Sequence, residues 1–543
     1  MTTVAEAIMR MLSAHGLSVA FGIPGVHNLA FWEASAHPDS PRIIGVRHEQ
    51  SAVYAADGLF RTTGIAGAAL LTSGPGAANA LAAFGEAHSS GAAVAVFATD
   101  VSSVLRHPQG PRGLLHEMAD QTGMFSAFGA PAHSASTGPE AITQSALALR
   151  EMTSPVPTPV YVGVASDVLG AEWSGRVPEP LVIKAGAVDD FELAQVVELI
   201  GEAHRPVLWL GGGVVSSGTE PLVRQLAERI GAVAVTTFAG RGLLAGSQYI
   251  IEAPAHEPEV AAIIADADLL IALGTDFDGM NTRNWSMPMP ERRIAITLSS
   301  TIKRTITWDV VVAADLTVAL TELLEELPVT PEQLPWCAAA TVRTQVISRL
   351  QDDEKTAPAV TMVRAIDESW PSESAVICDM SVSGYWTGGY CRQPRTRRLA
   401  YPVGWGTLGY ALPAAIGPAS VGIPTLAVCG DGGPMFALGE FATIAQHSLP
   451  VTILIVDDGG YGMLRFDQQK FGHAELGVDL HTPHWETLAS AFSIGSTTLT
   501  SVTELGDALE YAYTENRQGR AHLIVWQQRL FPPRTTSPRW HED

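Results

Sequence analysis

The chain has 543 residues, 46% hydrophobic and 16% charged, with 51 Gly and 35 Pro. That excludes a disordered segment and a small stapled scaffold, and at roughly 150 residues per domain it predicts three or four domains. Fifty-six acidic residues against 33 Lys plus Arg leave a formal charge of −23, a field that repels nucleic acid and anionic membrane and leaves a small molecule as the expected partner.

Residues 1–16 read as an amphipathic helix without a basic flank or cleavage site, and no apolar run reaches the roughly 18 residues of a membrane span, so the expected location is cytoplasmic. From about 3 to 170, helical patterns alternate with short apolar runs at 19–23, 43–46, 68–71, 93–98 and 160–164. This is the pattern of a parallel sheet with helices on both faces. A Pro-rich stretch follows near 176–180. A second unit has runs at 207–210, leading into Gly211–Gly213, and at 269–273, leading into Gly274-Thr275. After a linker at 327–335, the last third repeats the style at 375–378, 425–429, 451–456 and 523–527. The expected fold is therefore α/β, with three doubly wound parallel-sheet domains at 1–172, 185–330 and 355–535. Cys337, Cys378, Cys391 and Cys429 form no C-x-x-C pair and read as reduced, buried small residues.

No Walker loop, H-E-x-x-H helix or G-x-S-x-G elbow is present, and Gly211–Gly213 lacks the third glycine of the dinucleotide fingerprint. The strongest signal is in the last unit. One apolar run ends in Gly430-Asp431-Gly432-Gly433 and the next in Asp457-Asp458-Gly459-Gly460-Tyr461-Gly462, with Asp431 and Asp458 27 residues apart. On neighbouring strands these turns would share the carboxyl edge of one sheet, where open α/β sheets bind ligands. Two carboxylates and glycine amides suit a magnesium ion and a diphosphate.

These turns resemble the metal-diphosphate motif of thiamine-diphosphate-dependent enzymes of the acetolactate synthase and 2-oxo-acid decarboxylase type, a resemblance that spans nearly the whole chain. The family usually has Asn-Asn where this chain has Asp457-Asp458. The resemblance implies a pyrimidine-binding, a central and a diphosphate-binding domain in that order. It implies Asp431 and Asp458 as side-chain ligands and Gly460 as a carbonyl ligand to Mg²⁺, with Gly432, Gly433, Tyr461, Gly462, Met463 and Ser383 around the cofactor. The run from Gly404 to Ala415 resembles the stretch that supports the cofactor, with Leu408 between its rings and the Gly406 carbonyl accepting from the aminopyrimidine. Glu49, at the start of a predicted helix, is implied to hydrogen-bond the pyrimidine and promote its imino tautomer. Ser73, Gly74 and Asn79 resemble the turn that approaches the cofactor of a partner chain, which implies a homo-oligomer, at least a dimer and expected as a tetramer.

The substrate of such an enzyme is a small 2-oxo acid. His27 falls where family members place a substrate-facing side chain and His116 where acetolactate synthases usually have a glutamine, and imidazoles suit proton delivery. Asp467 stands where acetolactate synthases carry a tryptophan, which tells against carboligation, and Gly274–Gly279 departs from their flavin-binding pattern, which tells against bound FAD. Leu464 replaces an acid used by pyruvate decarboxylases. The first loop, His116-Glu117 and the run after Leu408 look most like the 5-guanidino-2-oxopentanoate decarboxylase branch, where Asp467 or Glu117 could pair with a guanidinium. The expected activity is non-oxidative decarboxylation of a 2-oxo acid. The alternatives are an acetolactate-synthase-type carboligase and a catalytically silent cofactor-binding partner.

Overall fold

The structure is a computed structural model and describes residues 2–180 and 187–536. Met1, the first two residues of the expected 185–330 unit, and residues 537–543 lie outside the described residues. Thr3 opens the first helix, Val4–Ala14, with a reciprocal cap, accepting from the Glu6 amide at 3.2 Å while its own amide donates to the Glu6 carboxylate at 3.0 Å.

The first unit carries β1 (Thr2–Thr3), β2 (Val19–Gly22), β3 (Arg42–Gly45), β4 (Gly67–Leu71), β5 (Val94–Asp100), β6 (Ala132–Ala135), β7 (Val160–Ala165) and β8 (Glu172–Trp173). Six of these form a parallel sheet in the order β3-β2-β4-β5-β7-β6, while β1 pairs antiparallel with β8. The central unit carries β9 (Pro206–Leu210), β10 (Val233–Thr236), β11 (Leu269–Leu273), β12 (Arg292–Ile296) and β13 (Val310–Val312), parallel in the order β10-β9-β11-β12-β13. The last unit carries β14 (Ala375–Cys378), β15 (Leu399–Ala400), β16 (Thr425–Gly430), β17 (Val451–Asp457), β18 (Gly495–Leu499) and β19 (His522–Gln527), parallel in the order β15-β14-β16-β17-β19-β18. The fold is thus α/β with three parallel sheets, as the apolar runs implied. The interior strands β4, β5, β7, β9, β11, β14 and β17 are buried along their whole length because helices cover both faces.

The two outer units share one hydrophobic core, which runs from Val4–Leu169 into Tyr410–Ala419 and on to Val525. At their seam the helix Glu49–Thr63 lies against the helix Ala411–Ser420. A Cβ on Gly58 would fall 2.3 Å from the Ala414 carbonyl oxygen, and one on Gly417 2.1 Å from that of Ala55. Only glycine lets the two backbones approach so closely. All four cysteines are free thiols; Cys378, Cys391 and Cys429 are buried as expected, whereas Cys337 is only half-buried.

Candidate active site

The carboxyl edge of the first sheet gathers the expected histidines. After β2 the chain turns through residues 23–28, where buried Asn28 accepts from the Gly25 amide at 2.7 Å and donates to the Ile23 carbonyl at 3.0 Å. This Asx-type turn presents His27. After β4, Gly74 takes φ 59° and packs so tightly on His116 that a Cβ there would lie 2.8 Å from the His116 Cβ. The Gly74 amide donates to Gln121 at 2.7 Å, and Gln121 in turn donates to the Thr99 carbonyl and the Tyr161 hydroxyl. Between the two loops, the fully buried Ser73 hydroxyl lies 2.7 Å from His27 Nδ1 and 3.0 Å from His116 Nδ1. The rings stand edge to face with centroids 5.2 Å apart. Ser73, read from the sequence as a cofactor contact, has its hydroxyl engaged by these two imidazoles.

Glu49 is the first residue of its helix, where a carboxylate is favoured by the backbone dipole. Its Oε2 accepts from Asn79 Nδ2 at 3.0 Å, so Glu49 and Asn79 stand together. Glu117 is placed differently from its expected role as a substrate partner. Its Oε2 accepts from the amides of Arg112, Gly113 and Leu114 at 2.7, 2.8 and 2.9 Å. Those amides, Leu114 foremost, hold its carboxyl below the usual carboxylate range. The carboxylate shapes the loop that carries His116.

At the third sheet, β16 and β17 are parallel neighbours with Gly430 opposite Val456, which sets the turns holding Asp431 and Asp458 side by side. Asp431 is 1% exposed and its Oδ2 has no hydrogen-bond partner; Asp458 Oδ1 is likewise buried and unpartnered. Burial pushes Asp431 up to about 7, helped by the charges of Asp458 and Asp457. Burial also raises Asp458, against the pull of Arg465. Asp457 is spoken for, accepting from Trp485 Nε1 at 2.8 Å and from the Gly459 amide at 3.0 Å. Two buried carboxylate oxygens without a donor at one sheet edge fit a cation. No group of three or more His, Cys, Asp or Glu side chains suited to a metal occurs among the described residues; one or two carboxylates, with phosphate oxygens and waters, is the usual donor set of Mg²⁺ on a diphosphate.

These carboxylates open onto a cavity of about 290 Å³. Ser383, Gly406, Leu408, Asp431, Gly432, Gly433, Asp458, Gly460, Tyr461, Gly462 and Met463 all line it. Its walls come only from residues 380–530, so Glu49, His27, His116, Ser73, Gly74 and Asn79 form a second cluster outside it. Asp467 does not line it either; its charge acts on Tyr385, which does. A larger cavity of about 600 Å³ opens where the central unit meets the outer two and includes Gly274, Thr275, Asp276 and Asp278 in its wall.

Three further side chains anchor the site, Asp379 at the head of the stretch that carries Ser383 and two, Arg465 and Glu86, that the sequence did not point to. Arg465, 3% exposed, sets Nη1 3.6 Å from Asp458 Oδ2 and Nη2 2.8 Å from Asp479, with Nε 3.6 Å from Glu475, and donates to the Asp458 and Gly459 carbonyls. It offsets the extra negative charge at Asp458 and leaves only Oδ1 unpartnered. Asp379, 1% exposed, accepts from the Met380 and Gly409 amides and so fixes the stretch bearing Leu408; burial raises it to about 6 although those amides pull it down. Glu86 is wholly buried, accepting from Thr407 at 3.1 Å and facing Arg61 at 3.3 Å, and burial pushes it up to about 7. A carboxylate in the apolar run of helix Leu81–Ser89 was the available signal for Glu86.

Comparison with known proteins meets this geometry. Residues 2–124, 193–323 and 379–525 match the thiamine pyrophosphate enzyme N-terminal TPP binding domain, central domain and C-terminal TPP binding domain, respectively. Over 512 residues the chain is 30% identical to the "Probable 2-ketoarginine decarboxylase AruI" of Pseudomonas aeruginosa, covering 90% of this chain and 88% of that one. It is 28% identical over 518 residues to an acetolactate synthase of Mycobacterium bovis, covering 90% and 82%. The fold also matches a solved structure of a candidate thiamin diphosphate-dependent enzyme from Mycobacterium smegmatis with TM-score 0.78 at 19% identity, covering 98% of this chain and 100% of that one. The chain belongs to the family of thiamine-pyrophosphate-dependent enzymes.

Proposed function

We propose that this protein catalyses the thiamine-diphosphate- and Mg²⁺-dependent non-oxidative decarboxylation of a 2-oxo acid, with an aldehyde and CO₂ as products. Bound thiamine diphosphate supplies a nucleophilic carbon and a ring that takes up the electron pair when CO₂ leaves. Asp431, Asp458 and the Gly460 carbonyl hold the Mg²⁺, and the amides around Gly432 and Gly462 receive the diphosphate. Ser383, Gly406 and Leu408 complete the cradle. Glu49, kept in place by Asn79, hydrogen-bonds the pyrimidine. Because the cavity is lined from residues 380–530 alone, the Glu49 cluster is contributed by a second copy, which makes a homodimer the smallest active unit. The tetramer is an association of two such pairs.

The observation that supports decarboxylation over carboligation is the imidazole pair bridged by Ser73. It gives the site a proton donor for the carbon that loses CO₂, and a proton there yields an aldehyde. A 2-oxo acid with a cationic tail fits best. The relative from Pseudomonas aeruginosa is named for 2-ketoarginine, and Asp467, whose charge acts on the lining residue Tyr385, brings negative charge to the segment beside the cavity. No helix among the described residues is long and apolar enough to cross a membrane.

The test is incubation of the protein with Mg²⁺, thiamine diphosphate and a panel of 2-oxo acids that includes pyruvate and 5-guanidino-2-oxopentanoate, with products read by proton NMR. Aldehyde from the cationic acid is the expected result. Acetolactate from pyruvate, with no aldehyde from any acid, would replace this reading by a carboligase. Cofactor binding without consumption of any acid would point to a silent partner.

A further inference from the structure

We propose that Ser73 is a positioning residue that couples His27 and His116 into one proton relay, so that at any moment one imidazole presents a proton at Nε2 and the other a bare nitrogen. The inference rests on the decarboxylase reading given above. A serine hydroxyl has one hydrogen and lies here within 3.0 Å of two imidazole nitrogens, both Nδ1. Ser73 is 0% exposed, which keeps water from substituting for either ring, and no third partner of its hydroxyl occurs among the described residues. If both rings donated to the oxygen, the hydroxyl hydrogen would be buried without an acceptor, which is unfavourable. The satisfied arrangement is Nδ1–H···Oγ–H···Nδ1. In neutral rings the donor at Nδ1 is bare at Nε2, and the acceptor at Nδ1 carries its proton at Nε2.

The loops make this arrangement rigid. Asn28 fixes the loop of His27, and Glu117 clasps three amides ahead of His116. His116 itself sits at φ 66°, backed directly by Gly74.

Decarboxylation needs both forms of imidazole. The bond between C1 and C2 of the 2-oxo acid breaks and CO₂ leaves without the electron pair. The pair left at C2 takes a proton, and the C2 oxygen, protonated from solvent earlier in the turnover, gives its proton up as the aldehyde departs. One proton from water is consumed per aldehyde. The ring with Nε2–H supplies the proton to carbon and the bare Nε2 receives the one from oxygen. A shift of two protons through Ser73 Oγ then exchanges the roles without creating charge, and the half-buried rings return to the starting state through solvent.

The test uses the full chain labelled with ¹⁵N-histidine, with His27→Gln and His116→Gln to assign the ring signals. In the wild type without ligands, the fractions of the two rings protonated at Nδ1 should add to one. In Ser73→Ala both rings should go over to the Nε2–H form favoured in water, and Ser73→Thr should restore the complementarity. With cofactor and substrate, Ser73→Ala should lower kcat for aldehyde formation about 10- to 100-fold, part of the roughly 10²–10⁴-fold range of general acid–base catalysis. KM should change less than about threefold, and Ser73→Thr should recover most of the rate. Both rings in the same tautomer in the wild type would overturn the proposal, as would Ser73→Ala turning over at the wild-type rate. Complementary tautomers in a wild type that makes no aldehyde would remove the decarboxylase reading instead, and keep the coupling of the two rings.

Discussion

The first and last sheets have the same strand order. In β3-β2-β4-β5-β7-β6 and β15-β14-β16-β17-β19-β18, the second strand in sequence lies at one edge, the first beside it, and the last two exchange places at the other edge. Both are wholly parallel, so both expose the carboxyl ends of their central strands at a crevice. What those ends carry is opposite in kind. The first sheet offers hydroxyl and imidazole groups at Ser73, His27 and His116 beside the carboxylate of Glu49. The last offers glycine turns and two buried carboxylate oxygens without donors. One topology thus fixes where a ligand would sit, and the residues at two or three strand ends decide whether that place suits proton transfer or a metal and phosphate.

The comparison can be broken most sharply at Glu49. Glu49→Gln should lower kcat by about 10²–10⁴-fold while titration with Mg²⁺ and thiamine diphosphate, followed by tryptophan fluorescence, shows cofactor binding intact. Loss of binding with turnover per bound site unchanged would assign Glu49 to the metal end. Next comes the seam. Gly417→Ala places a methyl 2.1 Å from a backbone oxygen, which should destabilise the pair of outer units by about 1–3 kcal/mol, read as a lower midpoint in urea. A smaller and more local effect is expected at Arg465. Its carboxylate partners Glu475 and Asp479 are 38% and 72% exposed, so Arg465→Met should cost on the order of 1–2 kcal/mol and show as faster proteolysis between residues 471 and 484, with the first sheet unaffected.

The smallest effect concerns Glu86, on the clasp between Arg61 and Thr407. Its carboxyl is raised from an ordinary 4.5 to about 7 by burial, so between those values the folded chain holds more protons there than the unfolded one. The stability from this group is present below pH 4.5 and falls as pH rises towards 7. Glu86→Gln should flatten that part of the profile, measured by urea unfolding at pH 4.5, 5.5 and 7. An unchanged slope would mean that Arg61 keeps Glu86 ionised throughout.

The sequence made the interior strands and the two acidic turns legible for a common reason: both are local. A strand covered on two faces is an apolar run, and β11 and β14 coincide with runs at 269–273 and 375–378. Edge strands β6 and β18 keep exposed positions and β15 has two residues, so they leave no such run. Asp431 and Asp458 could be paired from spacing because β16 and β17 are adjacent. Ser73, Gln121 and Glu86 act on partners brought near only by the fold: Ser73 is 46 residues from His27, and Glu86 321 from Thr407. Glu117 was visible as an acid beside His116, but its hold on three amides follows from the path of its loop.

The close pairing of Glu49–Thr63 with Ala411–Ser420 has a consequence for the chain on the ribosome. The apolar face of the earlier helix, with Ala52, Ala55 and Leu59 at 0% exposure in the finished fold, meets its partner only after roughly 350 more residues are made, about 20–70 s at 5–20 residues per second. Through that interval the first sheet exists without the far wall of its core. Nascent chains paused before residue 411 should therefore bind chaperones that recognise apolar helices, and release them once residues 411–420 clear the exit tunnel.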